Sequence, residues 1–278
     1  MVEINDEELI VKDRVKFHHE DFKFEEYADE MKESVRLLPA KYEETHQNIL
    51  FNTCPSYSGD WEVFFSKHRK GDFFKCRRYI ETEFSEYLSG TTVLFEVGCG
   101  YGCTMIPLLT AFPNIQYIAT DFSEKALDIL RHLPAIDFSR AECLHLDIVH
   151  GALPISSPPP SCCLCIFALS AIHPKDHLAS LRNIHFSLSP EGFLLFRDYG
   201  VLDLTMFRHC FRVSDNFFRR SDGTFSYYFD VDYVENLFTA AGFEKVELRY
   251  DCVLCQNRKS GKQMKRVFLH AVFRKCSH

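Results

Sequence analysis

Three glycines spaced two apart, Gly98, Gly100 and Gly102, close an apolar run that begins near residue 92. Gly98 and Gly100 permit a tight turn and let the backbone approach a ligand with no Cβ in the way. A helix opening directly after such a loop turns its unpaired amides toward the ligand and suits an anionic group such as a carboxylate. Dinucleotide folds use GxGxxG, whereas the spacing here is GxGxG. Two acidic residues narrow the ligand further. Asp121 stands 23 residues after Gly98, at the end of the next apolar run, where a carboxylate can accept both hydroxyls of a ribose. Asp147 closes the run after that and can accept from an adenine amino group, with Ile148 as an apolar wall. A carboxylate, a ribose and an adenine together describe S-adenosylmethionine. Each acid also has a plainer reading. Asp121 could only shape the helix start at Phe122 and Ser123, and Asp147 could cap a turn. The loop, the spacing and the strand order together favour the cofactor.

These residues need a frame, and the chain supplies an alternating one. Apolar strand-length runs fall at 92–97, 115–120, 142–146, 162–169 and 193–199, with helical patterns at 103–111, 123–132 and 174–188. That order predicts a parallel sheet with helices on both faces and a ligand at the carboxyl ends of the strands. After a helix at 231–241, strands at 243–252 and 266–273 close the pattern as a hairpin. The expected fold is α/β: a seven-stranded, Rossmann-like class I methyltransferase sheet, mostly parallel with a C-terminal antiparallel hairpin. Residues 1–88 read as an N-terminal helical extension with an irregular connector at 46–60. Residues 89–278 read as the methyltransferase domain, interrupted at 203–229 by an Arg- and Phe-rich insertion.

Bulk properties fit that frame. The chain has 278 residues, enough for one large α/β domain with extensions, and 46% are hydrophobic, enough for a sizeable core. No run reaches the ~18 apolar residues of a membrane span. The acidic N-terminus has no apolar stretch of signal length, so a cytoplasmic site, with the nucleus as a second compartment, is expected. Twelve cysteines in such a chain read as reduced thiols. Cys252 and Cys255 form one CxxC pair with no matching second pair, so no metal is expected. A net charge of −7 argues against a generic nucleic-acid coat protein but leaves room for local basic patches. Lys67, Arg69, Lys70, Lys75, Arg77 and Arg78 make one such patch, and Arg208, Arg212, Arg219 and Arg220 a looser second. Each could also be a solvated face.

More specific motifs lie outside the loop. They include Trp61 with Phe64, Phe65 and His68, then Phe73-Phe74-Lys75 with Arg77, and Glu96 ahead of the glycines. Later come Leu169-Ser170-Ala171 with His173-Pro174, and Phe196-Arg197-Asp198-Tyr199-Gly200. Asp222-Gly223-Thr224 with Ser226-Tyr227, and Arg266-Val267-Phe268-Leu269, complete the set. From about residue 61 to 273 the chain resembles the tRNA 3-methylcytidine methyltransferases of the methyltransferase-like group, in the short form that acts on serine tRNAs. The resemblance implies a cofactor pocket using Trp61, Phe65, Glu96, Gly98, Gly100, Asp121, Phe122, Asp147, Ile148 and Ile166. It implies cytosine in the anticodon loop as target, serine tRNA as substrate and seryl-tRNA synthetase as a partner. Two departures stand out. Phe65 replaces a frequent Tyr, which removes a hydroxyl donor, and Ser161-Cys162-Cys163 stands where an Asp often precedes the fourth strand.

The chemistry of that target sets what else is needed. The ring nitrogen of cytosine carries a free in-plane lone pair, so alignment matters more than a general base. Methylation leaves positive charge on the base, which a nearby carboxylate would stabilise. Asp198 is the candidate, with Arg197 to hold a phosphate or orient Asp198 and Tyr199 to stack on the base. Arg197 and Asp198 could equally be a structural ion pair at a strand end. The reacting edge must be unpaired and splayed out. Phe73, Phe74, Phe217, Phe218 and Tyr227 are available for stacking, although for each alone core packing is the better reading, given how often Phe is buried. Lys75, Arg77, Arg78, Arg219 and Arg220 are the expected phosphate contacts, and His173 reads as structural or pocket-lining. The competing function is a class I methyltransferase acting on a small molecule or protein, since one fold serves many substrates.

Overall fold

The computed structural model describes residues 18–39, 58–70, 75–134, 136–154, 158–209, 211–256 and 261–276. Its centre is a seven-stranded sheet in the order β3-β2-β1-β4-β5-β10-β9. The strands are β1 (Val93–Val97), β2 (Gln116–Asp121), β3 (Ala141–His145), β4 (Cys162–Ile166), β5 (Phe193–Tyr199), β9 (Phe243–Gln256) and β10 (Gln263–Lys275). The first five pair in parallel, and β10 runs antiparallel to both β5 and β9. β1 and β4 are buried at every residue, as central parallel strands covered on both faces must be.

Helices α5 (Met105–Ala111), α6 (Glu124–Arg131), α7 (His177–Ser187) and α8 (Val231–Ala240) cover the faces. α1 (Phe24–Arg36), α2 (Ser58–Lys67), α3 (Tyr79–Glu83) and α4 (Ser85–Leu88) precede the sheet. The core divides by strand alternation. Phe95, Leu194 and Phe196 join one cluster with Phe238 and Phe273, while Leu94, Leu164 and Leu195 join the other with Ile80, Phe84 and Leu127. α1 docks by Phe24, stacked on Tyr250 at 3.9 Å, and by buried Tyr27.

Two differences from the sequence reading have simple causes. β4 ends at Ile166 instead of running to 169, because Phe167 turns into the left-handed region at φ 54°. Residues 203–229 hold a small antiparallel meander of β6 (Phe211–Ser214), β7 (Phe217–Arg219) and β8 (Phe225–Tyr227). Strands of three and four residues are too short for a periodic signal.

Candidate active site

The sheet order reverses between β1 and β4, which opens a crevice at their carboxyl ends. The glycine loop follows β1 into it. Gly98, Gly100 and Gly102 all have positive φ, at 67°, 54° and 85°. At Gly98 a Cβ would lie 2.7 Å from the Cβ of Ala168, in the loop after β4. The two loops therefore meet at a point only glycine permits. We expect Gly98→Ala to weaken cofactor binding at least tenfold, since strain of about 1–2 kcal/mol adds to that collision. Calorimetric titration with S-adenosylhomocysteine measures this directly. α5 begins at Met105, two residues later than the sequence suggests, because turns occupy the intervening residues.

Asp121, half-buried at the end of β2, ties the loop together. Oδ2 accepts from the Gly100 N–H and Oδ1 from the Ser123 N–H, both at 2.8 Å. Burial pushes its carboxyl up to about 6, while those two amides pull the other way. It is therefore ionised at neutral pH, and each oxygen keeps a lone pair for a ribose hydroxyl. The shaping role and the binding role are compatible in one side chain. Ser123 caps α6, its Oγ accepting from the Ala126 N–H at 3.2 Å. Phe122, half-buried beside it, accepts a hydrogen bond from His145 Nε2 at its carbonyl, at 2.8 Å.

Glu96 lies wholly buried in β1 and accepts from the Tyr117 hydroxyl at 2.7 Å. Burial pushes it up to about 7, against Tyr117, Arg77 and Thr104. α2 lies over the loop. Phe65 is buried, with Cζ 3.7 Å from where a Gly100 Cβ would stand. Trp61, half-buried, packs on Phe64 and Phe65. Its indole Nε1–H is buried with no acceptor among the described residues. An unmatched buried donor costs about 1–3 kcal/mol, so it asks for a ligand acceptor. The glycine cradle, Asp121 and this donor together fit the cofactor.

Asp147 is half-buried after β3, with Ile148 buried beside it. Ile166 is buried in the core, and its carbonyl meets Arg77 Nη1 at 3.5 Å.

On the far side of the loop, Arg77 has a different place from the one expected. Its Nη1 also donates to Thr104 Oγ1 at 3.2 Å, and its guanidinium lies 5.0 Å from the Phe167 ring. Tyr199 packs on Phe167 at 4.9 Å. Burial raises the Tyr199 hydroxyl, while Arg220 and Arg266 act against that. Arg77, Phe167 and Tyr199 thus form one cationic and aromatic cluster near the glycine loop. Phe167 was not singled out from sequence. Its positive φ is strain of the kind that gathers at functional sites.

Asp198, next to Tyr199 in β5, is wholly buried. Oδ2 accepts from the Ser170 N–H at 2.9 Å and Oδ1 from the Tyr199 N–H at 2.8 Å. Burial pushes its carboxyl up to about 7, with Ser170, Tyr199 and Arg77 opposing. Arg197 requires a correction. It shares neither phosphate-binding exposure nor a face with Asp198, because successive strand residues point to opposite faces. Its Nη1 pairs with Glu83 at 2.6 Å and Asp251 at 2.5 Å, at 3% side-chain exposure. Those carboxylates and His270 bring metal-ligand types within 4.8 Å, but the guanidinium already supplies the cation there.

Lys75 and Arg78 are exposed. Arg219 donates to the Gly223 carbonyl at 3.4 Å, and Arg220 pairs with Asp222 at 3.2 Å. Phe217, Phe218 and Tyr227 are buried in the core, which agrees with the packing reading preferred for them over stacking. Phe73 and Phe74 lie outside the described residues. His173 accepts from the Lys175 N–H at 3.2 Å and meets Phe217 edge-on, a capping position.

A methyltransferase-domain family profile matches residues 95–194. The chain is 37% identical over 227 residues to human tRNA N(3)-cytidine methyltransferase METTL6, across 78% of this chain and 79% of that one. It is 37% identical over 249 residues to the Drosophila melanogaster tRNA N(3)-methylcytidine methyltransferase Mettl2, across 84% of this chain and 75% of that one. A solved S-adenosylmethionine-dependent methyltransferase from Anabaena variabilis superposes with a TM-score of 0.58 at 13% identity, over 79% of this chain and 95% of that one. That likeness speaks to fold alone.

Proposed function

Because this chain belongs to the tRNA N(3)-cytidine methyltransferase family, we propose that it methylates cytidine in the anticodon loop of tRNA, with serine tRNA as substrate and seryl-tRNA synthetase as partner. The enzyme is an S-adenosylmethionine-dependent methyltransferase with tRNA as its substrate class. The observation that carries the reading is the shared crevice: Arg77, Phe167 and Tyr199 stand beside the glycine loop. A small-molecule substrate would leave the flanking basic residues, exposed Lys75 and Arg78 among them, without a purpose.

Bound S-adenosylmethionine supplies an electrophilic methyl group. Gly98, Gly100, Asp121 and Trp61 hold and orient it. Phe167 and Tyr199 offer faces for the splayed base. Asp198 places a buried negative charge under that base, where positive charge grows. Arg77 balances Glu96 and Asp198 and so keeps both nearer to ionised. Lys75 and Arg78 supply phosphate contacts at the rim. A net charge of −7 limits unaided RNA affinity, which supports a role for a partner. A cytoplasmic site is part of the same proposal.

Nucleoside analysis of serine tRNA after incubation with enzyme and cofactor tests the reading, with and without seryl-tRNA synthetase. The expected product is 3-methylcytidine, more with the synthetase. No product in either arm refutes it. Lys75→Ala with Arg78→Ala should weaken tRNA binding and flatten the salt slope by about 1 per charge removed. An unchanged slope removes them from the interface.

A further inference from the structure

Asp147 meets more than an adenine in this fold. Its Oδ1 accepts from the Val149 N–H at 3.0 Å, and its Oδ2 meets His150 Nδ1 at 2.7 Å. The segment is held from behind by α7. The Asn183 amide donates to the carbonyls of Ile148 at 2.8 Å and Val149 at 3.2 Å, and Ile148 is buried. Against this fixed backbone the His150 side chain is 80% exposed.

The Val149 amide already orients the carboxylate, so the imidazole adds little orientation. What it adds is charge. A cationic ring holds a carboxylate oxygen far more strongly than a neutral one, and a carboxylate held that way is a poorer acceptor for a third group. We propose that His150 tunes cofactor recognition: its protonated ring occupies Asp147 Oδ2 against the adenine amino group, and its neutral ring yields. This rests on Asp147 being the adenine acceptor.

The groups facing His150 favour its charged form. The Asp147 hydrogen bond is the largest influence, and Asp176, from the turn before α7, acts in the same direction. The ring's ionisation is therefore raised above its usual value, and the charged form persists to higher pH than in a free imidazole. Asp121 titrates as well, at about 6, and its protonation weakens ribose binding. Both groups make affinity rise with pH, so the test must compare variants at each pH.

The experiment is calorimetric titration of the full chain with S-adenosylhomocysteine at steps between pH 5.5 and 8.5. Wild type is compared with His150→Ala, His150→Arg and Asp147→Ala. His150→Ala should bind about fivefold tighter than wild type at low pH, with the ratio closing to one at high pH. His150→Arg, charged throughout, should stay weak across the range. S-inosylhomocysteine, which lacks the amino group, should bind wild type and His150→Ala alike. A wild-type to His150→Ala ratio that does not change with pH overturns the proposal. If Asp147→Ala binds like wild type at every pH, the adenine reading of Asp147 fails first, and the proposal with it.

Discussion

Asp198→Asn is expected to lower kcat about 100-fold and to leave the affinity for S-adenosylmethionine unchanged. The size follows from removing one preorganised electrostatic group at a site of developing charge. The cofactor is spared because Asp198 bonds the Ser170 and Tyr199 amides and none of Gly98, Asp121 and Trp61. The pH dependence identifies the cause. The Asp198 carboxyl is pushed up to about 7 by burial, so it is protonated below that pH and ionised above it. Wild-type kcat should climb with pH up to about 7 and then level, and the variant should lose that limb. Stability moves the other way. A carboxyl whose folded value lies above its unfolded one favours the folded state when protonated, so its burial destabilises fully above about 7 and progressively less as pH falls from there toward the ordinary carboxylate value of about 4. Neutralising it relieves that burden. The substitution has its own penalty, however. Asp198 accepts from two N–H groups, Ser170 and Tyr199. Asn has one oxygen, so its NH2 must face the other donor. A small fall in Tm is therefore expected alongside the large fall in kcat. Single-turnover rates over a pH series, with Tm and cofactor Kd on the same preparation, separate the two. Normal turnover in the variant would sink the role.

Much of this arrangement is legible in the sequence where the signal is local. β1 and β5 are apolar runs ended by turn residues, and the acids at the ends of β2 and β3 keep strand spacing from Gly98. The cluster near the loop is less legible. Phe167 looks like one more core residue in an apolar run, and only its backbone turn at the end of β4 places it in the crevice. Arg77 reads as one cation in a basic run, yet its backbone N–H binds the Cys103 carbonyl at 2.8 Å, which draws its side chain inward. β9 and β10 extend past their apolar segments because the hairpin pairs Gln256 with Gln263 beyond the sheet. Hydrogen bonding, not hydrophobic pattern, sets those ends.

Arg197 shows why a motif can be read correctly and its parts assigned wrongly. Arg197 and Asp198 are adjacent, but their partners are not. Asp198 faces Ser170, whereas Arg197 faces Glu83 and Asp251, 114 and 54 residues away in sequence. No spacing rule reaches that far. The guanidinium also lies 4.7 Å from the Phe268 ring and 5.3 Å from that of Tyr79. Burial alone would favour its neutral form, but Glu83, Tyr79 and Asp251 more than offset this and hold the charge. Around this core His270 faces Glu83 at 2.7 Å and Glu247 at 3.1 Å, and Arg249 faces Glu247 and Asp251. The network ties α3 to β5, β9 and β10. Removing its central cation leaves Glu83 with only His270 and Asp251 with only the half-exposed Arg249, so Arg197→Ala should destabilise by about 3 kcal/mol, the low end for a broken buried pair. Replacing the whole group by neutral side chains is far milder, because no charge is left stranded. Arg197→Met combined with Glu83→Gln and Asp251→Asn should therefore recover most of the loss. Urea unfolding of the three proteins measures this, with tRNA affinity recorded in parallel. Unchanged stability with weakened tRNA binding in Arg197→Ala would return Arg197 to the phosphate-binding role and refute the network.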